Sequence, residues 1–230
     1  LVMDLPVRTG GSRARVDGVR ITIGLDGDAV QADIEASATA TLGPVTVAIG
    51  GAGLRGELAF PDGGGNLGPL HVTGGLRAPD RFGLGLNAGP VSGGGFIEGD
   101  ESAGRYSGAL ALEAIGVGLA AIGVLDTAGP GYSLAAVIAT EFRPIPLPLG
   151  FTLEGVGGLI GIHRRVDTDA LRAALRTPAG LGDIFFPADP IAQAARLTGD
   201  LAWYFPAAEG RYVFGPAVKF GWGTPTMVRG

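Results

Sequence analysis

"VQADIEASATATL", residues 30–42, alternates without a break. Val30, Ala32, Ile34, Ala36, Ala38, Ala40 and Leu42 fall on one face of an extended chain. Gln31, Asp33, Glu35, Ser37, Thr39 and Thr41 fall on the other. A period of two marks a β-strand with one apolar face and one wet face. At ~3.3 Å per residue the strand runs ~40 Å, roughly twice the usual length. Similar segments flank it. "VDGVRITIGL" (16–25) joins it through the turn "DGD" at 26–28, and "VTVAIGGAGLRGELAF" (45–60) follows Gly43-Pro44. In the latter the apolar register changes at Gly50-Gly51, from Val45, Val47 and Ile49 to Leu54, Leu58 and Phe60, which predicts a bulge.

The pattern recurs from 82 to 142 in "FGLGLNAG", "VSGGGFIEG", "RYSGALALEAIGVGLAAIGVL" and "YSLAAVIATEF". Several of these strands are apolar or small on both faces, so this half is expected to be the more buried. "RPIPLPLG" (143–150) has prolines at 144, 146 and 148, which leaves one side of the segment able to pair and makes it an edge strand or crossover. After 165 the period lengthens. "VDTDALRAALRTPAG" offers Asp167 or Thr168 as N-cap and a Pro-Ala-Gly stop. "FFPADPIAQAARLTGDLAWYFP" offers Asp189 as N-cap, with Pro190 at the first helical position. "GRYVFGPAVKFGWGTPTMV" then returns to strand. The expected fold is α+β and mainly β: long antiparallel strands in a curled sheet, sandwich or open barrel, with a two-helix insertion at about 166–205. One β-rich domain is expected over 1–230. The missing initiator methionine and the interrupted last sheet point to a segment of a longer chain.

Composition narrows the functions. Of 230 residues 43 are glycine, 46% are hydrophobic and only 17% are charged. The glycines lie among valine, leucine and isoleucine with no G-X-Y period, which suits closely packed sheets, excludes collagen and disfavours a flexible linker. A net charge of −5, with no basic run longer than His163-Arg164-Arg165, disfavours nucleic acid. The absence of cysteine removes disulfides, thiolate metal sites and cysteine nucleophiles. The longest apolar run, Ala114–Leu125, is too short for a transmembrane helix. A membrane β-barrel is disfavoured by the lack of aromatic girdles at strand ends.

Chemical motifs are sparse. In "LGFTLEGVGGLIGIHRRV" (149–166), Gly155 and Gly157 open a dinucleotide fingerprint, but Ile160 stands where the third glycine is needed, and no Walker lysine follows. Close strand packing with bulges at Gly157-Gly158 is the expected structure there. Two histidines, His71 and His163, cannot build a three-histidine metal site, and Ser92, Ser107 and Ser133 all lack a G-x-S-x-G context. Asp100 with Glu101, and Asp183 with Asp189, occupy turn or cap positions. Calcium at "DGD" lacks further alternating acidic ligands. His163, Arg164 and Arg165 remain as a candidate partner or anion contact, weighed against a polar cluster pairing with Asp167 and Asp169. The aromatic residues Trp203, Tyr204, Phe205, Tyr212, Phe214, Phe220 and Trp222 are expected to pack the helical insertion on the last strands.

The segments "GVGGLIGIHRRVDTDALRAAL", "IFFPADPIAQA" and "YFPAAEGRYVFGPAVKFGWGTP" within 155–224 resemble a family of very large, glycine-rich bacterial β-proteins classed as a domain of unknown function. The resemblance implies a β-rich segment of a larger protein and carries no activity with it. The long strands, the missing catalytic signatures and the glycine-alanine packing make the expected function a non-catalytic structural or assembly scaffold, with other segments of the same protein or other subunits as partners and no cofactor or metal. The alternative is a lipid or apolar-ligand carrier whose concave sheet face is lined by Leu110, Leu112, Val117, Leu119 and Ile138. An enzyme would need a polar pocket converging near His163 and Arg164.

Overall fold

Long antiparallel strands dominate the chain, as the alternation requires. The computed structural model describes residues 1–6, 9–11, 13–27, 29–100, 103–128, 131–176, 181–222 and 228–229. Asp28, Glu101, Gly129, Pro130, the Pro-Ala-Gly stop and residues 223–227 lie outside the described residues. The chain forms two compact units, Leu1–Leu84 and Gly85–Gly230.

The first unit contains β1 (Val2–Leu5), β2 (Thr9–Gly10), β3 (Ala14–Asp26), β4 (Ala29–Leu42), β5 (Val45–Ala59), β6 (His71–Arg77) and the start of β7 (Arg81–Asn87). β1 and β2 both pair with β3, β3 pairs with β4, and β4 pairs with β5; β6 borders the second half of β5. The bulge expected at Gly50-Gly51 lies opposite Ser37, between the pairs Ala36–Ala52 and Ala38–Ile49. Gly51 takes φ +74°, and a Cβ there would collide with the Asp80 carboxylate, so the position needs glycine.

One expectation for β4 is corrected. The two faces alternate as read, but the polar one is not the wet one. Asp33 and Glu35 are each only 8% exposed, while Ile34 between them is 49% exposed. Arginines cover the carboxylates. Arg55 and Arg77 both lie 3.1 Å from Asp33, and Arg77 is also 3.0 Å from Glu35. Across the sheet, Asp4, Arg20 and Glu35 stand in one register row, and Gly53 separates Glu35 from Arg77. With no side chain at Gly53, the guanidinium reaches across. The opposite face carries Ile21, Ile34, Leu54 and Leu76 in one row, and among the described residues no helix lies in this unit to cover it.

The second unit contains β8 (Val91–Asp100), β9 (Arg105–Ala114), β10 (Val117–Asp126), β11 (Ser133–Pro146), β12 (Phe151–Arg164), β13 (Ala207–Trp222) and β14 (Val228–Arg229), paired in that order. Among the described residues β8 does not pair with β13 or β14, so the sheet stays open rather than closing into a barrel. Between β12 and β13 lie α1 (Thr168–Ala174), α2 (Gly182–Phe185) and α3 (Ala194–Tyr204). Asp167 caps α1, its carboxylate accepting from the Ala170 amide at 3.0 Å. The second expected helix starts later than its sequence signal. Asp189 caps only a turn, accepting from the Ala192 amide at 2.9 Å, and α3 begins at Ala194; α2 is an additional single turn.

These helices cover one face of the sheet. Ile184, Ala194, Leu197, Leu201 and Phe205 pack with Ala109, Ile122, Val124, Ala135, Val137 and Leu159. Leu197 and Leu201 are fully buried, each contributing about 1.5–3 kcal/mol by removal from water. Gly157 lies on this face, where a Cβ would stand 2.7 Å from the Ile138 carbonyl oxygen. Pairing with β11 and β13 runs unbroken through Gly157-Gly158; the irregularities of β12 fall at Glu154 and His163 instead. The glycines of 155–158 serve close approach, not bulging.

Candidate functional site

Two regions of the second unit merit weighing. The first is the polar junction at His163-Arg164-Arg165. β12 bulges there, His163 takes φ +52°, and the three side chains go to different places. Arg164 is 1% exposed. Its guanidinium donates to the carbonyls of Phe205 at 3.1 Å and Ser133 at 3.3 Å, and pairs with Asp126 at 2.5 Å, which also holds Arg105 at 2.7 Å. Its Nε is buried without a partner, but the two terminal nitrogens make the cation a structural clip between strand and helix end, not a free anion contact. Arg165 is exposed and lies 3.6 Å from Asp167, the pairing weighed in the sequence. His163 stands between Tyr132 and Tyr212, with ring centroids 5.7 Å from each.

A 460 Å³ pocket opens here, lined by Arg105, Asp126, Tyr132, Ser133, His163 and Glu209 among others. Its chemistry does not fit acyl transfer. The Gly210 amide donates to His163 Nδ1 at 2.9 Å, so a neutral ring carries its proton on Nε2. A serine-activating histidine needs the opposite tautomer, with Nδ1–H donating to a carboxylate and Nε2 accepting. Ser133 Oγ is itself buried and makes no hydrogen bond. Among the described residues no group of His, Asp and Glu could hold a metal ion. The acidic pairs keep ordinary roles: Asp100 accepts from the Ala103 amide, and Asp183 lies 3.5 Å from Arg196.

The second region is the sheet face turned away from the helices. Leu110, Leu112, Val117, Leu119 and Ile138 all stand on it. Leu112 pairs with Leu119, and Leu110 pairs with Ala121, which pairs with Ile138. Val117 and Ile138 are exposed, and the three leucines are half-buried. The register extends the face from β8 to β13. One row runs Ile97, Gly108, Gly123, Ala136, Ile160, Phe214; the next runs Gly95, Leu110, Ala121, Ile138, Gly158, Pro216. A third runs Gly93, Leu112, Leu119, Thr140, Val156, Val218. None of these positions carries a charge. At one end, Ile115 and Leu149 are exposed in turns at φ +53° and +64°, conformations that turns ordinarily give to glycine or asparagine.

Sequence reasoning missed Ile97, Ile160, Val156, Val218 and Phe214 as members of this face. Strands apolar on both sides were the available signal. The aromatic cluster also divides differently from expectation. Phe205 and Tyr204 pack into the core, but Tyr212, Phe214, Phe220 and Trp222 occupy positions of β13 that alternate away from the helices. Phe214 is 77% exposed, and Trp203 on α3 is 71% exposed. Burial raises the Tyr204 phenol above its ordinary pKa; Asp200 adds to the shift and Arg196 opposes it.

Fold and site together define an open antiparallel sheet backed by short helices on one side and bare on the other. No described helix is long and apolar enough to cross a membrane. The chain belongs to the family of unknown function DUF6603, whose model matches residues 11–230. The match extends far N-terminal of the 155–224 stretch that carries the resemblance in the sequence. No curated protein and no solved structure matches the chain.

Proposed function

We propose that the chain is a non-catalytic structural module of a larger bacterial protein or particle, and that it assembles through the bare sheet face of its second unit. The observation carrying this reading is the uncharged array from β8 to β13, with Ile97, Ile138, Ile160 and Phe214 exposed in it. A contiguous exposed apolar surface of this extent marks an interaction site. The same face supports the second reading, an apolar-ligand carrier, because Leu110, Leu112, Val117, Leu119 and Ile138 share it. Native mass spectrometry with organic extraction separates the two. A clean mass of protein alone is the expected result for a module that binds protein. Stoichiometric release of lipid would replace that reading with the carrier.

A further inference from the structure

Resting on that reading of the bare face, we infer that its occupant is a second copy of this chain, packed sheet to sheet about a two-fold axis. Relief is the first argument. Gly108, Gly123 and Ala136 form a trough across three adjacent strands, flanked by Ile97 on one side and by Ile160 and Phe214 on the other. A two-fold axis parallel to the strands, passing between β11 and β12, carries β13 of one copy over β10 of the other. Phe214 then enters the partner's trough, and the partner's Phe214 does the same in return. Sheets packed this way lie ~10 Å apart with interdigitating side chains, which large residues beside glycines permit.

Area is the second argument. The axis overlays β10–β13 of the two copies, and these four strands, ~4.8 Å apart and each about ten residues long at ~3.3 Å per residue, present roughly 630 Å² per copy. Two copies would bury about 1,300 Å², inside the lower end of the range of stable specific interfaces. The three rows carry no charge, and Phe214 and Tyr212 project from β13, in keeping with interface cores poor in charge and rich in aromatic residues.

The test is sedimentation velocity on the full 230-residue chain across a concentration series, with three variants. Phe214→Asp charges the knob. Gly123→Leu fills the trough, and its Cβ would be 3.5 Å from the nearest atom, the Ala135 carbonyl oxygen, so the strand accommodates it. Trp203→Asp on α3 is the control. A monomer–dimer equilibrium is expected, weakened at least about thirtyfold by Phe214→Asp, also weakened by Gly123→Leu, and unchanged by Trp203→Asp. A dimer indifferent to both face variants overturns the proposal by placing the contact elsewhere. A chain monomeric throughout also overturns it, and binding of the apolar dye bis-ANS then decides the underlying reading. Dye lost on Phe214→Asp keeps the face as a working surface for another partner. Dye binding that is absent, or unaffected by that variant, removes the reading of the face as well.

Discussion

Strand β4 in the first unit and strand β11 in the second both alternate, and each has one face better covered than the other, yet they bury opposite kinds of residue. In β11 the covered positions are Ser133, Ala135, Val137 and Ala139, and Ile138 is exposed. In β4 the covered positions include Asp33 and Glu35, and Ile34 is exposed. The difference lies in the cover. Helices supply an apolar layer over β11. Over β4 the cover includes the side chains of Arg55 and Arg77, whose guanidinium groups lie against the carboxylates. Alternation therefore assigns residues to faces, while the covering element decides which face is inside.

Truncations under the two kinds of cover should separate them. Leu197→Ala removes a fully buried side chain from the helical layer and should cost about 3 kcal/mol in urea unfolding. Phe214→Ala on the bare face of the same sheet should cost under ~0.5 kcal/mol in dilute protein. Equal losses would break the distinction between the two faces. In the first unit, Arg77→Ala removes one of the two arginines that pair with Asp33 among the described residues, and the one 3.0 Å from Glu35, and should cost about 1–2 kcal/mol. Because that cover is ionic, the wild-type advantage should shrink in high salt, whereas the Leu197→Ala loss should not. The smallest effect concerns pH. Tyr204 has a raised pKa in the fold, so its neutral phenol is favoured there. The associated stability is complete below the ordinary value of 10.0 and is lost as pH rises through the folded value. Tyr204→Phe should flatten that alkaline decline in thermal melts between pH 9 and 11; an unchanged slope would assign the decline to other groups.

Much of the architecture was legible. Period two gave β3, β4 and β5 nearly to the residue, the change of apolar register marked the Gly50-Gly51 bulge, and the start of α1 fell on Asp167, one of the two N-cap candidates. What stayed hidden was tertiary. Nothing local to Asp33 says that Arg55 and Arg77 will lie over it, because Arg77 comes from a strand 44 residues away. His163-Arg164-Arg165 reads as one basic run, but the bulge sends its middle residue inward to Asp126 and two carbonyls. The bare face was legible only in part: strands apolar on both sides announce two apolar surfaces, but not which of them the chain itself will cover.

The prolines after β11's central stretch have a consequence for growth. β10 begins at Val117, opposite Phe142, so Arg143–Pro146 overhangs with only β12 beside it. The Leu147 amide donates toward β12, to the Phe151 carbonyl at 2.8 Å. By alternation, Ile145 also faces β12, and Pro144 and Pro146 occupy the positions that face outward. An outward row without N–H groups cannot serve as a template for an incoming chain. The overhang is thus closed to runaway strand-by-strand fibre growth, and a protein built so largely of sheet has one fewer place to begin it.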